Sequence, residues 1–394
     1  MTGPEILIAG GGIGGLAAAL ALALRGRRVR VLEKAAEFGE TGYGIQMGPN
    51  ASRVLDRLGV LKALEPHAVY PDALILADAL TNDELTRIAC GRRWFAERYG
   101  FRYFVIHRRD LHGELLAACR AREEIALEAS RGVTGFEERG NVVRVRCENG
   151  AEYEGAALVG ADGLWSPTRA TVVGDGAPRL AGHYVYRGVV PTEDIIDQSR
   201  IDSMTIWCGP NLHLVQYRLR GGAVMNNVAT IVSRRLRGGK SGANSPVAGA
   251  PDELDEIFSR TDPRVRDMLR HVSRERNWVL HDREPVTNWT RGRVTLLGDA
   301  AHPTLQYLAQ GANMAIEDGV VLADQVAAAG EDFNRAFVAY QQARMNRSAR
   351  VVLSSRFFGE YIHVDGGARA LRNQLLRGRD PDNPWEVDWL YRGV

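Results

Sequence analysis

The stretch "EILIAGGGIGGLAAALALALRGRRVRVLEK", residues 5–34, decides the fold. Ile6 to Ala9 is a short apolar run of buried-strand type. Gly10, Gly12 and Gly15 then give G-x-G-x-x-G, an Ala/Leu-rich helix follows and ends near Gly26, and Val29 to Leu32 is a second strand closed by Glu33. Each part has a physical task in a dinucleotide site. Gly10 permits the tight turn, Gly12 lets backbone approach a pyrophosphate, and Gly15 lets the helix pack close to the strand. The helix N-terminus offers unpaired N–H groups and partial positive charge to the phosphates. Glu33 can accept two hydrogen bonds from a ribose diol. The motif predicts a Rossmann-like α/β domain, and by itself it does not separate NAD from FAD.

Working outward, 394 residues, 45% of them hydrophobic, suffice for two domains or for one large domain with insertions. Lys+Arg 50 against Asp+Glu 48 leaves no dense basic face, which argues against a nucleic-acid protein. Lysine occurs only at positions 34, 62 and 240, a bias read as GC-rich codon usage. Cys90, Cys119, Cys147 and Cys208 are isolated, so neither a zinc site nor a disulfide framework is expected. No secretion signal is legible, and the longest apolar stretch, Leu16 to Leu24, is too short to span a bilayer. The expectation is a cytoplasmic protein with no metal, no nucleic-acid partner and no membrane span.

Further strand-end motifs follow. "AEFGETGYGIQMGPN" (36–50) is glycine-rich, and Gly42 and Gly44 suggest backbone close to a flat ligand. "YFVIHRRDLHGELLAACR" (103–120) passes from strand to helix, with Asp110 as expected cap, Leu111, Leu115 and Leu116 on the apolar face, and Arg108 at the junction. "ALVGADGLWSPTR" (157–169) leads a buried strand into Asp162-Gly163. "LLGDAAHPTLQYLAQGANMA" (296–315) ends a strand at Gly298-Asp299, and a helix starts near Gly311. In such sheets ligands bind at the carboxyl ends of the strands, so Asp299 can share a crevice with Glu33. A ribityl chain offers hydroxyls to an aspartate. A helix N-terminus suits the negative charge of a reduced flavin, which favours FAD over NAD as the resident group.

With Gly10-x-Gly12-x-x-Gly15, Asp162-Gly163 and Gly298-Asp299 in that order, the chain resembles the single-component flavoprotein aromatic hydroxylases along its full length. The stretches "YFVIHRRDLH", "HLVQYRLRGG", "HDREPVTNW", "PTLQYLAQGANMAIED" and "DGGARALRNQLLRGRD" add to the likeness. It implies FAD held by Gly10, Gly12, Ile13, Gly15, Glu33, Gln46, Arg108, Asp162, Asp299, Gly311, Ala312 and Asn313. It also implies NADH or NADPH as co-substrate without a separate nicotinamide domain, O2, and a homodimer. The family pattern has smaller residues where Gln310 and Asn313 stand.

Enzymes of this class transfer oxygen from a flavin C4a-hydroperoxide to an electron-rich ring, so a base or strong acceptor near the phenol is needed. Alternation along "NLHLVQYRLRGG" (211–222) puts His213, Val215 and Tyr217 on one face. His213 is suited to take a phenolic proton. Tyr217 is the second pocket candidate, Gln306 can hold the phenol oxygen or the peroxide, and Tyr103 is a weaker candidate. His302 reads as supporting, and His183, His271 and His281 show no partner pattern. No carboxylate clamp can be assigned.

The expected architecture is a Rossmann-like FAD-binding domain (1–70, 100–175, 285–330), an inserted antiparallel-sheet substrate domain (71–99, 176–284) and a C-terminal helical region (331–394). A Gly/Ser/Pro loop is expected over 238–251 and helix over 252–271. The arginines of the long helix in 331–363 are expected to form a solvated face, and the aromatic tail with Trp385, Trp389 and Tyr391 to dock. The implied reaction is hydroxylation of 3-hydroxybenzoate to 2,5-dihydroxybenzoate. Salicylate or a natural-product phenol are alternative substrates. A non-hydroxylating flavin or NADH oxidase protein, or a plain NAD dehydrogenase, are readings of another class.

Overall fold

The computed structural model describes residues 5–39, 42–236 and 250–393. Positions 238–249 of the expected Gly/Ser/Pro loop lie outside the described residues. Among the described residues one sheet has six strands, in the order Thr290–Arg291, Val294–Leu296, Ala157–Gly160, Ile6–Ala9, Val29–Leu32, Ile125–Glu128. All neighbours are parallel except the edge strand Thr290–Arg291. Ile6, Leu7, Ile8 and Ala9 are fully buried, as a central strand covered on both faces requires. Helix Ile13–Ala23 packs against helix Gly311–Ala329. Their backbones approach so closely that a Cβ at Gly319 would lie 2.8 Å from the Ala18 amide nitrogen. The Ala/Gly-rich sequence of both helices is what allows this contact.

Parallel order places the carboxyl ends of four adjacent strands side by side. Gly10, Glu33, Asp162 and Gly298-Asp299 therefore line one edge, although they span nearly 290 positions of sequence.

A second sheet has seven strands: Asn277–Asp282, Arg179–Pro191, Val224–Val232, Leu212–Leu219, Met204–Gly209, Leu74–Asp78 and Glu84–Ile88. It is antiparallel except where Met204–Gly209 runs parallel to Leu74–Asp78, a strand delivered from far upstream. One face packs on helix Pro251–Phe258 through Leu212, Leu214, Trp207 and Phe258. The other face carries Val185, Val215, Tyr217 and Val228 toward the parallel-sheet side.

The C-terminal helices close the structure. Helix Phe333–Ile362 does not present its arginines as a solvated face: Arg344 is fully buried against Glu317 and Asp318, and Arg347 and Arg356 are also paired with acids. Periodicity did not reveal this, because the acids that neutralise Arg344 belong to another helix. The aromatic tail docks through Tyr391, which packs on Phe95, Tyr99 and Tyr103, while Trp385 stays exposed. No helix among the described residues is long and apolar enough to cross a membrane.

Candidate active site

Backbone forms the first half of the site. Gly10 has φ +105°, and a Cβ there would lie 2.4 Å from the Ala161 carbonyl oxygen. A Cβ at Gly15 would lie 2.0 Å from the Gly10 carbonyl oxygen. Only glycine fits either place. Gly12 precedes helix Ile13–Ala23 with no side-chain cap, so its first-turn N–H groups remain available to an anion. Glu33 accepts from the Gly11 amide at 2.6 Å and the Ala35 amide at 2.8 Å. A carboxylate has roughly four acceptor positions, so Glu33 keeps capacity for a ribose. Arg108 follows strand Phe104–His107 and its amide donates to the Tyr43 carbonyl. The expected cap of this helix is corrected: the helix starts at Arg108, His107 caps it, and Asp110 sits inside the first turn. His107 won because its Nδ1 reaches the Arg109 amide.

On the far side of the edge, Asp299 is exposed in the turn Gly298–Ala300. A Cβ at Gly311 would lie 3.9 Å from its Oδ1, so Asp299 stands beside the N-terminus of helix Gly311–Ala329, which also has no side-chain cap. Ala312 is half-buried in that first turn. Two uncapped helix ends, one on each side of a strand-end acid row, fit the phosphates and the flavin ring of an FAD.

Several predicted cofactor residues instead turn inward. The Asp162 carboxyl accepts from Ser166 Oγ at 2.5 Å and from Thr168 N and Oγ1 at 3.1 and 2.7 Å. Burial raises its pKa, and these hydrogen bonds work against the rise. Beside it, Arg169 donates to the carbonyls of Ala300 and Ala301 at 2.9 and 2.6 Å, which ties the Asp162 turn to the Asp299 turn. Asn313 accepts from Gly48 N at 2.9 Å and donates to the Gln46 and Ala309 carbonyls. Gln310 accepts from Asn50 at 3.0 Å. Smaller residues at 310 and 313 would leave these groups without those partners.

Sequence reading missed the support beneath the Gly298 turn. Asp318, fully buried, accepts from Gly298 N at 3.0 Å, His302 Nε2 at 2.6 Å and Arg344 Nε at 2.6 Å. Burial alone would raise its pKa, yet His302 and Arg344 hold it well below the carboxylate range. His112 was likewise not singled out; its Nε2 meets the Gly11 carbonyl at 2.8 Å and buttresses the phosphate turn from below.

The seven-stranded sheet supplies side chains. His213 and Tyr217 are buried on the same face. A Cβ at Gly44 would strike the Tyr217 ring, and the Gly44 amide donates to Asn226 Oδ1 at 3.1 Å, so the glycine loop lies directly on this face. Gln46 accepts from Tyr103 OH at 2.5 Å and also faces Tyr217. Gln306 donates to Thr230 Oγ1 at 3.0 Å, and Thr230 is the cross-strand neighbour of His213. Its Oε1 accepts from Arg187 Nη2 at 2.8 Å.

Burial pushes the His213 pKa down to about 3, with His183 acting in the same direction. The ring is therefore neutral at pH 7. Its Nδ1 lies 2.8 Å from His363 Nε2. His183 does have a partner, against expectation: Tyr307 OH, at 2.7 Å. Periodicity could not expose His363, which reaches the sheet from the end of a helix 150 positions away. Arg187 was legible in principle, as the lone charge on an otherwise apolar strand face in "YVYRGVV".

The comparisons fit this geometry. Residues 4–355 match the family model described as FAD binding domain. The chain is 44% identical over 392 residues to 3-hydroxybenzoate 6-hydroxylase 1 of Aquipseudomonas alcaligenes, covering 98% of this chain and 97% of that protein. It is 36% identical to 3-amino-4-hydroxybenzoate 2-monooxygenase PtnB3 of Streptomyces platensis, covering 98% and 96%. Among solved structures, a variant of Klebsiella pneumoniae HpxO complexed with FAD superposes with TM-score 0.85 at 25% identity, covering 99% of both chains. The chain belongs to the FAD-binding family of single-component flavoprotein aromatic hydroxylases, with FAD as its cofactor.

Proposed function

We propose that the protein hydroxylates 3-hydroxybenzoate to 2,5-dihydroxybenzoate with NAD(P)H and O2. One observation carries the chemistry: a buried imidazole held neutral, His213, shares a sheet face with Tyr217 beside the glycine loop, and its cross-strand neighbour Thr230 is held by Gln306. The relative that bears this substrate in its name supports the choice of acid.

FAD would be held by the Gly10–Gly15 turn, Glu33, Asp299 and the Gly311 helix end. When bound it supplies the redox chemistry, passing electrons from NAD(P)H to O2 for insertion into the ring. The chain's own residues do the rest. His213 accepts a hydrogen bond from the phenol at Nε2, which requires the proton on Nδ1, and Nδ1–H then donates to His363. Burial holds the imidazole well below its usual basicity, while a phenol ionises only at about pH 10 in water, so full proton transfer in the ground state is disfavoured. His213 gains the proton only as the ring surrenders electron density, when the phenolic O–H becomes acidic. This narrows the expectation of a resting base near neutral pH. Gln306 and Tyr217 fix the ring's edge, and the buried face excludes water.

Cytoplasmic placement accords with four free, buried thiols. A homodimer accords with Leu353 and Phe357 on one helix, and Leu371 and Leu375 on the next, all at least half exposed at i,i+4 spacing. The deciding assay is NAD(P)H oxidation with and without 3-hydroxybenzoate, with products separated by chromatography. Stimulation with 2,5-dihydroxybenzoate formed supports the reading. A yellow protein that this acid does not stimulate rejects the substrate.

A further inference from the structure

Arg187 stands apart from the other arginines around the site. Arg169, Arg344 and Arg372 are buried and each meets an acid: Asp175, Glu317 with Asp318, and Asp78. Arg187 lies on the strand Arg179–Pro191 and meets a neutral partner, Gln306. Its guanidinium sits 5.6 Å from the Tyr43 ring centroid and 5.8 Å from that of Trp278, and these two rings meet edge-to-face at 5.2 Å. The charged or ionisable groups that act on it are Tyr217, Arg108 and Tyr43, with no carboxylate among them. Burial, with the like charge of Arg108, pushes its pKa below the usual value, although a guanidinium stays charged. Among the described residues only its Nη2 is hydrogen-bonded. Arg187 is half-buried, and a partly desolvated cation with unused donors and no carboxylate beside it is suited to take up an anion.

The anion's place relative to the chemistry is also fixed. Arg187 pairs with Val228 on the next strand, and Val228 pairs with Val215, two residues from His213 on the same face. Arg187 and His213 thus lie two strands apart, roughly 10 Å between backbones. Gln306 spans the gap, holding Arg187 with one end and Thr230, the neighbour of His213, with the other. Arg187 and His213 therefore face the same side of the sheet, at the two ends of the Gln306 bridge.

We propose that Arg187 is the receptor for the substrate's carboxylate, gripping an aromatic acid at one end while His213 meets its phenol at the other. The assignment rests on the hydroxybenzoate reading above. A guanidinium fork fits a carboxylate through two parallel N–H···O bonds, and the flanking Tyr43 and Trp278 rings keep the fork in plane and exclude water. Gln306 then positions the fork by holding Nη2. A meta-hydroxy acid satisfies both ends, whereas a neutral phenol satisfies only one.

The test is binding of 3-hydroxybenzoate and of its neutral isostere 3-hydroxybenzamide, followed by perturbation of the flavin spectrum in the FAD-loaded protein without NAD(P)H. Wild type should prefer the acid. Arg187→Met should weaken acid binding on the order of 100-fold while amide binding stays within about threefold. Arg187→Lys, a point charge without the fork, should recover part of the preference. Flavin content and Tm check the fold, and the lysine variant decides if the methionine variant does not fold. An unchanged acid-over-amide preference in both variants overturns the assignment alone. Equal loss of both ligands in folded protein overturns it too, since that marks a packing role. Wild type that binds neither ligand overturns the substrate reading and this assignment with it.

Discussion

The two halves of the site are built by opposite means. On the parallel-sheet side, backbone receives the cofactor, and many nearby side chains are consumed in holding that backbone: Asp162 on Ser166 and Thr168, Asn313 on Gly48 and Ala309, Asp318 on Gly298. On the seven-stranded side, the backbone is spent in the sheet ladder, and the proposed substrate contacts are side chains: His213, Tyr217, Arg187 and Gln306. The first design reads a shape common to every FAD. The second reads the functional groups of one ring. The same fold can therefore keep its cofactor side and exchange substrates through a few sheet positions.

If backbone shape is what the first half supplies, the smallest possible side chain should break it. Gly15→Ala places a Cβ 2.0 Å from the Gly10 carbonyl oxygen, with no flexible atom to yield. The expected outcome is protein without flavin, at least tenfold below wild-type occupancy by the ratio of visible to ultraviolet absorbance, or no folded protein at all. Retained yellow colour would mean the turn is not the cofactor's cradle.

If side chains are what the second half supplies, removing one should spare the cofactor and stop the oxygen transfer. His213→Ala should retain FAD and lower the rate of product formation by about 10²–10⁴-fold, with NAD(P)H consumption continuing as peroxide. Measuring product and peroxide together separates this from a folding defect. Equal loss of flavin would erase the distinction between the halves.

The same contrast explains what could be read from the sequence. Gly10 to Glu33 is a contiguous signal, because the turn, the helix and the acid must follow one another to make one shape. Asp299 was legible because a strand end is recognisable wherever it occurs. His213 and Tyr217 followed from alternation along a single strand, helped by the family likeness. The remainder depends on partners that only folding brings together. His363 comes from the C-terminal end of a helix, and Arg344 from that same helix reaches Asp318 on another. Spacing carries no trace of either contact. The inward turn of Asp162 and Asn313 was also illegible, since an acid on a strand-end turn looks the same whether it faces a ligand or its own helix.

The support under the Gly298 turn gives a smaller effect that crosses the boundary between halves. Asp318→Asn keeps the size but leaves the buried Arg344 short of one of its two acids. A loss of about 3–5 kcal/mol is expected, read as a fall in Tm, with FAD affinity falling alongside because Gly298 loses its anchor. A lower Tm with unchanged FAD affinity would show that the network holds the core and not the cofactor edge.

The smallest effect concerns the imidazole pair. His363→Leu leaves His213 Nδ1 without its partner at 2.8 Å, so the proton no longer has a fixed place on the ring, and about a tenfold loss in kcat is expected. His363→Gln can still accept from Nδ1 and should recover most of it, which a purely structural role for His363 would not predict. The sign of the pH dependence follows from burial. Both imidazoles are held neutral in the folded protein, His213 down to about 3, while in the unfolded chain each takes up a proton near 6.5. The unfolded state therefore binds more protons between these values, and the pair's contribution to stability is fully present above pH 6.5 and is lost as pH falls from there toward 3. Between pH 7 and 5 the Tm of wild type should drop further than that of His363→Leu, which carries one fewer such group. An equal drop in both proteins would mean that the fold does not hold His363 neutral.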